Sequence, residues 1–142
     1  MTGAMTKKKS RMTVRDYRVL AQFRNALRQF LAFSEAAAAQ AGLTPVQHQA
    51  LLAIKGMPRS GPVSVGDLAE WLGVRHHSCV GLVDRLVALE MVQKKPDPAD
   101  RRRVTLKLTR LAERKLAALS TANRGELRRR SGALRHLLAS LG

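Results

Sequence analysis

The chain of 142 residues contains a single cysteine, Cys79, so it can form no internal disulfide, and that residue alone supplies no zinc site. Aromatic residues amount to only 4%, which leaves Leu, Val and Ala to build the core and favours helices. Acidic side chains are scarce as well, 10 against 26 Lys and Arg, for a formal net charge of +16. A surplus of that size exceeds what solubility requires and points to a polyanionic partner, nucleic acid first. No apolar run approaches the roughly 18 residues of a membrane span. The start, MTGAMTKKKSRM, has charge but no apolar segment behind it, so no membrane partner is expected and the expected location is the cytoplasm. Glycine-rich phosphate loops, a His-Glu-x-x-His pattern and nucleophile–base pairs are all missing, which makes an enzyme the least favoured class and assigns no catalytic residue and no cofactor. His76 and His77 are adjacent and would diverge by about 100° on a helix, while His48 and His136 are remote from them in sequence, so no metal site is assigned.

The charge that is present is unevenly spread. Residues 1–43 carry a net +6, residues 44–74 are neutral, residues 75–115 carry +6 and residues 116–142 carry +4. A neutral stretch followed by a basic one suggests scaffold over 44–74 and an anion-facing surface over 75–115.

Residues 1–12 are polar and lysine-rich without periodicity, which predicts a flexible basic arm. From Val14 to Ala41 apolar positions recur by threes and fours through Tyr17, Leu20, Phe23, Leu27, Phe30 and Leu31, with no Pro or Gly before Gly42, predicting one long helix. That helix is too apolar to stand alone in water and needs a partner helix, such as one from a second chain. Thr44-Pro45-Val46-Gln47 and Ser64-Val65-Gly66-Asp67 read as capping boxes, each a hydroxyl followed three residues later by a side chain able to reach back to the cap. They open two helices, the first ending near Gly56 and the second at Gly73. A third helix of about 15 residues follows, with Cys79, Leu82, Val83, Leu86 and Leu89 on its inner stripe and His76, His77, Ser78, Gly81 and Arg85 largely off it. Helix, glycine turn and a helix with polar first turns is the arrangement of a helix-turn-helix reader. Met91–Pro96 and Val104–Leu108 then read as strands joined by Asp97–Arg103, a hairpin with an arginine tip. Thr109 caps a further helix, and a break near Asn123–Gly125 is expected before a last one carrying Leu127, Leu134, Leu137, Leu138 and Leu141.

The run Asp97-Pro98-Ala99-Asp100-Arg101-Arg102-Arg103-Val104-Thr105-Leu106-Lys107-Leu108-Thr109 resembles the wing signature of the MarR family of winged-helix regulators, in which Asp-x-Arg at a hairpin tip leads into an alternating strand ending in Leu-Thr. Leu82-Val83-Asp84-Arg85-Leu86 is similar to the end of that family's recognition helix, and the resemblance runs from Leu43 to about Leu119. It implies a mainly α fold: a winged helix-turn-helix with a two-stranded β-hairpin wing and N- and C-terminal dimerisation helices. The expected division is a basic arm at 1–12, an N-terminal dimerisation helix at 13–42, a DNA-binding lobe at 43–110 and C-terminal helices completing the dimerisation region at 111–142. It also implies a homodimer held through residues such as Tyr17, Leu20, Leu27, Leu134 and Leu138. Glu90 stands where the family usually has Gly, so the helix before the wing is expected to end differently or under strain.

For function, these readings predict a regulator, of repressor type by the resemblance, that binds double-stranded DNA at a pseudo-palindromic operator. His76, His77, Ser78 and Gly81 fall on the face offered to the major groove. Arg85, Lys94, Lys95 and Lys107 are candidates for phosphate contact. Arg101, Arg102 and Arg103 form the wing tip, with Arg102 the foremost candidate for a narrow minor groove, and by resemblance Asp100 supports the wing. The resemblance further implies a small aromatic or phenolic ligand in the cleft between the dimer helices and the DNA-binding lobe, where Tyr17, Arg24 and His48 are candidates, with plain packing the favoured role of Tyr17 and His48. Cys79, on the inner stripe, is expected to be packing rather than a redox switch. Two other classes fit the charge: a non-specific architectural DNA-binding protein, and a module whose wing arginines meet an acidic protein surface.

Overall fold

A computed structural model describes residues 11–141. Apart from Arg11 and Met12, which are exposed and outside any helix, the basic arm read at 1–12 lies outside the described residues. Helix α1 spans Val14–Gln40, α2 Pro45–Gly56, α3 Val65–Leu72, α4 His76–Ala88 and α5 Arg110–Ala139, with strands β1 Val63–Ser64, β2 Val92–Pro96 and β3 Val104–Leu108.

Four helices begin where a side chain satisfies an orphan amide. The Thr44 and Ser64 capping boxes form as the sequence predicts, with the Gln47 amide donating to Thr44 Oγ1 at 3.2 Å and the Asp67 amide to Ser64 Oγ at 3.0 Å. Thr13 and Asp16 make a third box, which the same Thr-x-x-Asp spacing could have revealed. Thr109 caps α5 by accepting from the Ala112 amide, and its hydroxyl donates to the Glu90 carbonyl at 2.7 Å. Glycine ends two helices: Gly42 at φ +78° and Gly73 at φ +68° turn the chain so that the next amide, of Leu43 or Val74, reaches back to the Ala38 or Ala69 carbonyl. Helix α4 ends with the same geometry, Met91 N to Leu86 O at 2.9 Å, but the left-handed residue is Glu90, at φ +59°.

One expectation is extended and one corrected. The two-stranded hairpin wing forms as read, from β2 and β3, and β1 adds a third antiparallel strand in the order β1-β3-β2. Val63 pairs with Leu106 and Ser64 with Thr105, and a strand of two residues is too short for alternation to mark it. The C-terminal region is one unbroken helix of 30 residues rather than two. Gly125 costs it about 1 kcal/mol of intrinsic helix propensity, but packing on α1 runs through the segment and buries Leu116, Leu119 and Glu126, which outweighs that cost.

The core lies among α2, α3, α4, the sheet and the first half of α5. Leu51, Leu68, Leu86 and Met91 are its largest fully enclosed side chains, joined by Leu106 and Leu108 from β3. Helix α1 packs chiefly along α5.

Candidate nucleic-acid interface

Helix α4 follows a tight turn, and its cap, Arg75, makes no side-chain hydrogen bond to the first amides. Those amides, with the positive end of the helix dipole, are left for an external acceptor such as a phosphate oxygen. His76, His77 and Ser78 are exposed in this first turn, while Cys79, Leu82, Val83 and Leu86 point into the core. Val80 and Arg85 are exposed on later turns, whereas Gly81 is half-buried and offers no side chain.

The wing tip is organised by two aspartates. Asp97 Oδ1 accepts from the Ala99 amide at 2.9 Å and Asp100 Oδ1 from the Arg102 amide at 3.0 Å. The Arg103 amide donates to the Asp100 carbonyl at 3.0 Å, and the Asp97 amide to the Arg103 carbonyl at 2.9 Å. Asp100 thus holds the loop from within by hydrogen bonds, and Arg101 and Arg102 lie exposed at the tip.

Arg103 departs from the expected role. Its guanidinium turns inward, with Nη2 2.6 Å from Asp67 Oδ2 and Nε 3.7 Å from Asp97, so it ties the wing to the start of α3 instead of standing free for a groove. Asp67 Oδ2 also accepts from the Ser64 amide at 2.9 Å and is paired with Arg59 of the loop before β1. Burial acts to raise the Asp67 carboxyl, but the Ser64 hydrogen bonds and the charges of Arg59 and Arg103 outweigh it and hold the group below the usual carboxylate range. Sequence reasoning saw Asp67 only as a capping residue, because Arg103 is 36 positions away.

The phosphate candidates divide. Lys94 is paired with Asp84 of α4 and is therefore not a free cation. In the β2–β3 register Gln93 faces Lys107 and Lys95 faces Thr105, so Lys95 and Lys107 stand on the face of the hairpin opposite to Lys94 and Val104. Between wing and helices lies a cleft of about 360 Å³ lined by Gly66, His76, Val80, Lys94, Arg102 and Val104, which brings the wing tip and the first turn of α4 onto one surface.

Cys79 is fully buried, with Sγ 3.6 Å from the Val65 carbonyl, and burial pushes its thiol up, away from the reactive thiolate. A second cavity, of about 660 Å³, opens between α1, α2 and α5, with Phe30, Leu31, His48, Leu52, Asn123 and Arg124 among its walls. His48 Nε2 and Asn123 Oδ1 are buried without a hydrogen-bond partner, and burial holds the His48 imidazole below its ordinary pKa. Of the three residues read as ligand contacts only His48 lines this cavity. Arg24 lies on a separate groove along α1 and Tyr17 is exposed near the start of that helix, while Asn123 and Arg124 went unread because the segment looked like a helix break. Tyr17, Leu20, Leu27 and Leu138 are exposed and Leu134 is half-buried.

A trihelical core, a helix presented after a tight turn and a hairpin with arginines at its tip define a winged helix-turn-helix protein. Comparison with known proteins narrows this class. Residues 41–103 match the MarR family. Over 86 residues the chain is 36% identical to the HTH-type transcriptional repressor NicR of Pseudomonas putida, an alignment covering 61% of this chain and 52% of that protein. The chain spans about half the length of the curated relatives it matches. The crystal structure of the multiple antibiotic-resistance repressor MarR from Listeria monocytogenes superimposes with a TM-score of 0.64 at 28% identity, covering 89% of this chain and 80% of that one. Rv1404 from Mycobacterium tuberculosis shares the fold, with a TM-score of 0.73 at 24% identity over 93% and 92% of the two chains. The winged-helix lobe is thus similar in sequence, and the chain in fold, to MarR-family regulators.

Proposed function

We propose that the chain is a DNA-binding transcriptional regulator of repressor type that acts as a homodimer on a pseudo-palindromic operator. The observation that carries this reading is the pair Arg101 and Arg102, held exposed at the wing tip by the Asp100 hydrogen bond, on the same surface as the uncapped first turn of α4. The α4 N-terminus supplies amides for phosphate and His76, His77 and Ser78 for base edges in the major groove. Arg102 enters the flanking minor groove, where a narrow A·T-rich stretch concentrates negative potential. Exposed apolar residues of α1 and α5, Tyr17, Leu20, Leu27 and Leu138, close on a second copy, with Leu134 at the edge of that surface. Two copies then set their reading helices about 34–36 Å apart, one turn of duplex.

The cavity beside His48 suits a releasing ligand. Asn123 Oδ1 needs a donor, Arg124 offers a cation at the wall, and Phe30 and Leu52 supply apolar sides, a set that fits a small aromatic acid bearing a hydroxyl.

The test is selection of bound duplexes from a random pool at about 150 mM salt, where charges separated by more than roughly 8 Å are screened. Enrichment of an inverted repeat with half-sites one turn apart is the expected result. Arg102→Ala should then weaken binding to the selected site by about 1–3 kcal/mol, most where the minor groove is narrow, and an unchanged affinity removes the wing from the interface. The net charge of +16 and the short side chains on α4 favour one alternative, an architectural binder. A regulator prefers its site over random duplex by about 10³ or more, an architectural protein by much less.

A further inference from the structure

One residue of the reading helix has no reason within the fold. Gly81 lies in the interior of α4, where glycine weakens a helix relative to alanine. No turn requires it, since its backbone is helical, unlike Gly42, Gly61 and Gly73 with their positive φ. Packing does not require it either: beyond its own helix backbone, a Cβ at this position would meet no heavy atom of the protein within 4 Å. Space alone does not single it out, because Gly132 of α5 has it too. Its place does.

At about 100° per residue, Gly81 faces roughly 150° away from the stripe of Cys79, Leu82, Val83 and Leu86 that enters the core. His77 and Ser78 stand one turn before it and Asp84 and Arg85 one turn after, and all four are exposed. Asp84 is the only acid of α4, and Lys94 of β2 already holds its carboxylate, so the face offers no free negative charge to an incoming phosphate. Between these four side chains the helix backbone is bare.

Ser78 carries its hydroxyl two bonds from Cα, so it touches a base edge only when the helix itself lies deep in the groove. A side chain at position 81 would hold the helix off by up to one carbon–carbon bond, about 1.5 Å, and a hydrogen bond of about 2.5–3.2 Å does not survive that displacement. Resting on the operator reading above, we propose that Gly81 sets the depth at which α4 seats in the major groove. Its bare backbone lies against the base edges and brings Ser78 within reach of them. The short side chains of α4 then read sequence by closeness rather than by length, and the helix keeps a weakening glycine for that purpose.

The test is a double-substitution cycle on the full chain: wild type, Gly81→Ala, Ser78→Ala and the pair. Each is read for thermal unfolding and for its preference for the selected duplex over a random one at about 150 mM salt. Gly81→Ala should unfold about 3 °C higher, as removal of a helical glycine does in a chain of this size, while its preference falls about tenfold. Ser78→Ala should lower the preference several-fold in wild type and hardly at all beside Gly81→Ala, where the hydroxyl is already out of reach. The proposal is overturned if Gly81→Ala keeps the wild-type preference or if the two losses simply multiply. It is overturned equally if Gly81→Ala unfolds at a lower temperature, which gives the glycine to the fold. A wild type with no preferred duplex strikes the operator reading and this inference with it, whereas a preference that wild type and Gly81→Ala share strikes this inference alone.

Discussion

Glu90 occupies a backbone position that a side chain makes costly. At φ +59° its Cβ crowds the following carbonyl, a penalty of roughly 1–2 kcal/mol that glycine escapes. The turn is nonetheless kept, because Met91 N must reach Leu86 O for α4 to end and β2 to begin, and Thr109 fastens the Glu90 carbonyl from the far side. Glu90→Gly should therefore stabilise the fold by about 0.5–1 kcal/mol, part of the relief being offset by the freer unfolded chain, with DNA affinity unchanged. Urea denaturation followed by circular dichroism measures it. The strain was expected from the resemblance alone, which puts glycine where this chain has Glu90. The inward turn of Arg103 was not, because three consecutive arginines look alike until the fold brings Asp67 beside one of them.

Among the elements, α3 and the wing are joined by a single carboxylate. Asp67 serves the α3 cap, Arg59 and Arg103 at once, so loss of its charge loosens three segments together. Asp67→Asn should lower stability by about 1 kcal/mol or less, as partly exposed ion pairs do, and should weaken DNA binding further by releasing the wing. The pH dependence has a definite sign. The folded carboxyl lies below its unfolded value of about 3.9, so its contribution is full at neutral pH, persists down to that value and is lost as pH falls through the folded one. The gap in unfolding midpoint between wild type and the Asp67→Asn variant should be the same at pH 7 and pH 5 and shrink below about pH 4. Element boundaries were legible wherever a cap or glycine marks them, as at Thr44, Ser64 and Gly73. They were lost where packing decides: in β1, which exists only because β3 lies beside it, and at Asn123–Gly125, where α1 carries the helix through a sequence that reads as a stop.

For the whole molecule, assembly is the quantity to measure. If the exposed apolar side of α1 is the dimer surface, Leu27→Glu removes a leucine from both copies and buries a charge in its place. At about 1.5–3 kcal/mol per leucine, the dimer should weaken about 100-fold or more, and sedimentation at micromolar concentration should show monomer. Secondary structure measured on that variant should be retained in the winged-helix lobe, whose core does not include Leu27.

Helix α5 also has a mechanical reading. Its 30 residues extend about 45 Å without interruption, from a cap that is bonded to the base of the wing to a far end beside the start of α1. A stiff beam of that length magnifies angles: a tilt of about 5° about one end carries the other about 4 Å. That displacement exceeds the reach of a hydrogen bond, so a wedge no larger than a single aromatic ring, driven between α1 and α5 beside His48, would be enough to move Arg102 out of register with a groove. The stop read at Asn123–Gly125 would have put a joint in this beam and taken up the same motion locally.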